Sequence, residues 1–205
     1  MTTSGKIAAA TAAAGGTGTA GFFAVKNLQS HNPISSKIDT KYLLKKTDTT
    51  QWAARVATLK TAQDKDITSE LKNLKDKGAE LKEQDLQEWC ASSLKSEFSD
   101  KSSIVFKNIL SYCAYNLGDK VTGDKITDST TEGESKLTTI WNSITSLNQN
   151  SAISEGLKKV KDTENGNSNN AGNKAIKAWC LGQFKIPYYE NDSDLKESQD
   201  YCVLK

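Results

Sequence analysis

Every tryptophan and every cysteine of this chain recurs at a nearly constant spacing, and that recurrence limits the folds open to it. Trp52 and Trp141 lie 89 residues apart, Trp89-Cys90 and Trp179-Cys180 lie 90 apart, and Tyr112-Cys113 and Tyr201-Cys202 lie 89 apart. All four tryptophans and all four cysteines are used. The pattern predicts two diverged copies of one cysteine-containing unit: unit 1 over residues 27–118 and unit 2 over 119–205, behind a hydrophobic N-terminal segment at 1–26.

The periodicity within each unit is helical. Apolar residues follow each leading tryptophan at spacings of three and four (Trp52, Val56, Leu59; Trp141, Ile144, Leu147), as on one helix face. Ile67, Leu71, Leu74, Gly78 and Leu81 continue the pattern with Asp66 as the expected N-cap, and Leu86, Trp89, Cys90 and Leu94 carry it into the Trp-Cys motif. Strand signals are limited to Ile104-Val105-Phe106 and to Phe184–Tyr189, which Pro187 interrupts. The expected fold class is mainly α, with two small helical bundle units after an N-terminal hydrophobic helix. Trp52, Trp89, Trp141 and Trp179 are expected as core anchors. Asn165–Asn173 reads as a loop where unit 1 has a Lys/Glu-rich helix, and Asn116–Gly133 reads as the joint between units.

Four cysteines allow three pairings. If the unit once stood alone it paired its own thiols, which favours Cys90 with Cys113 and Cys180 with Cys202; four buried reduced thiols is the competing reading. Each bridge closes a loop of about 20 residues and contributes on the order of 3 kcal/mol. Zinc is disfavoured, because there is no Cys-x-x-Cys and the one histidine, His31, lies outside both units beside Asn32-Pro33. No metal or cofactor is expected.

Residues Ile7 to Val25 carry no charge, and as a helix they would span about 28 Å, close to a bilayer core. Eight alanines, four glycines and three threonines make the stretch only weakly apolar. It is read as a signal or a membrane anchor, although Lys26, Lys37, Lys41 and Lys45 downstream oppose export by the positive-inside rule. Within it, Gly16-Thr17-Gly18-Thr19-Ala20-Gly21 matches a dinucleotide fingerprint, but the preceding run of alanines is no strand and no alternation of strand and helix follows.

Arg55 is the one arginine among 27 basic residues, which stand against 25 acidic ones. That balance argues against nucleic acid, whose recognition leans on arginine and on a one-signed surface. Seven basic residues against two acidic ones between Lys26 and Lys60 fit a solvated helix face, or an anionic membrane surface. No nucleophile, base or metal motif appears: Glu80, Glu83, Asp85 and Glu88 interleave with lysines as on a solvated helix. The expectation is a protein that is not an enzyme.

The small-residue hydrophobic N-terminus, Leu43-Leu44 shortly before a tryptophan, Leu86-Gln87-Glu88-Trp89-Cys90, and Tyr112-Cys113 resemble a large paralogous family of uncharacterised surface proteins of haemotropic mycoplasmas. The likeness spans most of the chain. Its second cysteine motif is usually Trp-Cys where this chain has Tyr-Cys twice, and unit 2 lacks a Leu-Leu element. The resemblance implies a protein at the extracellular face of the cell membrane, or secreted, that takes part in antigenic variation or contacts a host surface or serum protein. The rival expectations are a ligand-binding module with a pocket at Trp52 or Trp141, and an enzyme with a cleft of clustered, perturbed carboxylates.

Overall fold

A computed structural model of the chain describes residues 32–148, 151–163 and 170–205. The hydrophobic stretch 7–25, the fingerprint-like glycines and His31 lie outside the described residues. Among those described, the fold is mainly α, with no strands and four isolated β-bridges. No described helix is long and apolar enough to cross a membrane.

The helices fall into two groups of four. The first comprises α1 (Thr49–Thr61), α2 (Ser69–Lys75), α3 (Glu83–Ser93) and α4 (Ile104–Cys113). After the short α5 (Leu117–Lys120) come α6 (Ser135–Thr145), α7 (Glu155–Lys161), α8 (Ala171–Gln183) and α9 (Asp192–Tyr201). Each group has its own buried cluster. One is built on Trp52, Leu59, Leu71, Leu86 and Ile109, the other on Leu137, Ile144, Leu157 and Ile176.

Local chemistry sets the helix ends. Thr68 and Ser154 cap α2 and α7, their hydroxyls accepting from the Leu71 and Leu157 amides at 3.4 and 3.2 Å. Asp85 accepts from the Lys82 amide at 2.9 Å and secures the start of α3. The cap of α2 is thus Thr68, not Asp66, which sits in a 3-10 turn over Asp64–Asp66. The apolar periodicity from Ile67 to Leu81 does not mark one helix, because Gly78 takes φ +59° and breaks the chain after α2. Ile67, Leu71 and Leu81 are buried all the same. A three-to-four spacing can be satisfied by two separate elements that face one core.

Two other expectations need correction. The stretch Asn165–Asn173 is not all loop, since α8 begins at Ala171 and buries Asn173, whose Nδ2 donates to the Glu132 carbonyl and the Thr138 hydroxyl at 2.8 and 2.9 Å. Residues 118 and 119 lie within α5, and Leu117, Val121 and Ile126 are buried. The strand-like runs are not strands: Ile104-Val105-Phe106 opens α4, capped by Ser103, while Tyr188 and Tyr189 fold back onto the first cluster.

Of the four expected anchors, Trp52 (3% exposed) and Trp89 (8%) are buried, whereas Trp141 and Trp179 are only half-buried at the edge of the second cluster. Two glycines give the reason: each indole lies across a helix backbone. A Cβ on Gly172 would stand 2.2 Å from Trp141 Nε1, and one on Gly156 would stand 2.7 Å from Trp179 Nε1.

Gly172→Ala makes a sharp test. Alanine within a helix ordinarily stabilises by about 0.5–1 kcal/mol over glycine, but here the new methyl must displace the Trp141 ring. The expected result is a net loss of about 1–3 kcal/mol in denaturant unfolding, as for overpacking, with a shift in tryptophan fluorescence.

Candidate functional site

The disulfides join Cys90 to Cys113 and Cys180 to Cys202, the pairing favoured by the spacing, with Cα–Cα distances of 5.7 and 5.5 Å. All four cysteines are buried and none is free. Each bridge ties α3 to α4, or α8 to α9, and the carbonyl of its second cysteine receives an amide from the segment leading into the group. Leu44 donates to Cys113 at 2.9 Å and Ile126 to Cys202 at 3.0 Å. Sulfur sealed in this way holds a fold and is poorly placed for thiol exchange.

Arg55 is the polar feature that sequence reasoning missed. It sits on the inner face of α1 between Trp52 and Val56, with a side chain 5% exposed. Its Nη2 donates to the Asp119 carboxylate on α5 and, at 3.1 Å, to the Ala114 carbonyl. Asp119 Oδ2 also accepts the Asn116 amide at 2.8 Å. One planar guanidinium therefore clamps the first group to the chain entering the second. The available signal was its rarity: a chain that otherwise uses lysine placed its one arginine on an apolar helix face.

Tyrosines complete the junction. Tyr42 packs edge-on against Tyr188 and Tyr189 at 5.3 and 5.4 Å, and the Tyr188 amide donates to the Tyr115 carbonyl at 2.7 Å. The Tyr115 hydroxyl donates to Asp48 at 2.5 Å, and Lys120 lies 3.4 Å above the Tyr115 ring. Burial, reinforced by the Asp48 charge, pushes the Tyr115 hydroxyl up to about 12. The same hydrogen bond holds the Asp48 carboxyl below its usual range, while burial lowers Lys120. This is the arrangement of a structural network.

The chemistry offered elsewhere is sparse. Asp64, Asp85, Glu155 and Glu190 are each held below the ordinary carboxylate range, first by a hydrogen bond from a lysine (Lys75, Lys77, Lys158 and Lys101). Such acids are poor proton donors near neutrality. Among the described residues no group of three or more potential ligands gathers to hold a metal.

A hollow of about 430 Å³ lies between α1 and the start of α3, lined by Ala53, Val56, Leu81, Lys82, Glu83 and Gln84. Glu83 and Gln84 also border a second hollow of about 310 Å³ that runs over Gln87, Glu88 and Ala91 toward Lys46. Neither is lined by Trp52 or Trp141, where the rival expectation of a ligand-binding module had its pocket. Trp52 is sealed in the core and donates its indole N–H to the Lys45 carbonyl at 2.8 Å.

Compared with known proteins, the chain matches no family model, no curated protein and no solved structure.

Removing one partner of the Arg55–Asp119 pair strands the other in a buried setting. Asp119→Ala is expected to cost about 3 kcal/mol and Arg55→Met with Asp119→Leu together clearly less, measured as a double-mutant cycle by urea unfolding. Tyr115 supplies a second test. Because its proton is held more tightly folded than unfolded, its stabilisation is complete below its ordinary value of 10.0 and is lost as pH rises toward about 12. Tyr115→Phe is expected to lose about 1 kcal/mol at pH 8 and to flatten the fall in stability between those limits.

Proposed function

We propose that this chain is an exported, non-enzymatic helical scaffold, displayed at the outer face of a cell membrane or released from it, that acts by contacting other proteins. The observation that carries the reading is the pair of closed, buried disulfides in small helical groups. Bridges of this kind persist in oxidising compartments and are rare in a reducing cytosol. Each closes a loop with a sequence separation of 23 or 22 and contributes about 3 kcal/mol. Clusters as small as these need such support. The uncharged stretch 7–25 would supply the leader or anchor, and the resemblance to a mycoplasmal surface-protein family points the same way.

The two helical groups are, on this reading, diverged copies of one unit. Several contacts recur in matching places. The Thr68 amide donates to Asn108 Oδ1 at 2.9 Å and the Ser154 amide to Glu197 Oε1 at 2.6 Å. Lys75 reaches the Ala62 carbonyl as Lys161 reaches that of Leu147. The Ile34 amide donates to Ser96 and the Leu117 amide to Ile186, both at 2.9 Å. These recurrences begin the second copy near Asn116 rather than at 119. They also shift one column: Trp52, Val56 and Leu59 then answer to Leu137, Trp141 and Ile144, so the leading tryptophans stand one helical turn apart.

Non-reducing peptide mapping of protein from its native cell, together with protease shaving of intact cells, tests the reading. Peptides linking Cys90 to Cys113 and Cys180 to Cys202, released by shaving, are expected. Free thiols on a chain protected inside the cell would overturn it.

A further inference from the structure

The hollow beside α1 has a counterpart in the second group, and there it is filled. Alignment on the two Trp-Cys motifs sets Leu81, Lys82, Glu83 and Gln84 against Ala171, Gly172, Asn173 and Lys174. The shared Ala62/Leu147 contact sets Ala53 and Val56 against Thr138 and Trp141. In the second group Trp141 lies on Gly172, and Asn173 bonds across to Thr138, so that α6 and α8 close over an indole. In the first group the side chain at the tryptophan position is Val56, and about 430 Å³ stands open between the same two walls. The elements that close over an indole in the second group thus border an open hollow in the first.

We propose that this hollow is a docking site for an aromatic side chain, tryptophan foremost, presented by a partner protein; the assignment rests on the two-copy reading above. The occupant is named by the chain itself, because the corresponding space takes an indole. Ala53, on the exposed side of α1, offers apolar contact at the mouth, above the buried Val56 and Leu81. The rim favours an indole over an aliphatic group: Glu83 and Gln84 carry acceptors for an N–H, whereas Trp141 Nε1 is buried without a hydrogen-bond partner. Lys82 is exposed and long, and can swing aside. A ring seated in a pocket is the usual anchor of a protein interface, and the volume falls within the range of about 300–1,000 Å³ typical of ligand sites.

The test titrates the ¹⁵N-labelled full chain with N-acetyl-tryptophanamide, with N-acetyl-leucinamide as the aliphatic control, following amide shifts. Saturable shifts are expected at Ala53, Val56, Lys82 and Gln84, with an apparent Kd on the order of 1 mM for one isolated side chain. Val56→Trp fills the hollow from within, as in the second group, and is expected to weaken binding by about tenfold or more. Ala53→Gln, on the exposed side of α1, obstructs the mouth without touching the core and decides the matter should Val56→Trp fail to fold. No saturable shifts at these amides, equal response to the leucine control, or unimpaired binding by a folded variant would overturn the proposal. The disulfide mapping is independent of this result: an exported, bridged chain that ignores the probe loses the docking site and keeps the scaffold.

Discussion

A buried disulfide at the end of a helix pair is the constraint on which the rest of this structure depends. Cys90 and Cys113 fix α3 against α4, and the Cys113 carbonyl then receives Leu44, which sets the path of the segment leading into α1. Cys180 and Cys202 do the same for α8 and α9, with the Ile126 amide donating to the Cys202 carbonyl. The helices are short, none longer than 13 residues among those described. Helices of that length are marginal alone. Holding two of them by their ends reduces the entropy that their modest core must overcome.

Between the groups the physics is different. The junction is polar and aromatic: a single guanidinium on a carboxylate, a tyrosine hydroxyl on a second carboxylate, and rings stacked edge to face. Directional contacts of this sort fix an orientation in a way that loose apolar burial does not. The second group is also less fully satisfied inside. Where the first buries Ile109, the second has Ser198, fully buried with its hydroxyl unpartnered, and where Asn108 both accepts and donates, Glu197 leaves one buried oxygen without a partner.

Much of the helical content was legible, because apolar residues three and four apart mark a buried face whatever the tertiary arrangement. Boundaries were less so. Nothing in Ile67–Leu81 announces that Gly78 will take a left-handed turn, and nothing in the asparagine-rich stretch before Trp179 announces that Asn173 will be buried as a helical donor. Both depend on what packs opposite. Of the candidate site, the cysteine pairs were legible from their spacing. The hollow was not, since it is defined by a missing side chain.

Composition and spacing alone determined that this chain is mainly helical, that its cysteines fall into two like-spaced pairs, and that its arginine is singular. Rare residues and local periodicity survive without a partner in view, and so can be read in one dimension. Only the tertiary structure decided that Arg55 is a clamp rather than a surface charge, and that Trp141 lies across a glycine while Val56 borders a hollow. Each of those outcomes depends on residues far apart in the chain meeting across a helix interface, where a single methyl or a single turn of register changes what fits.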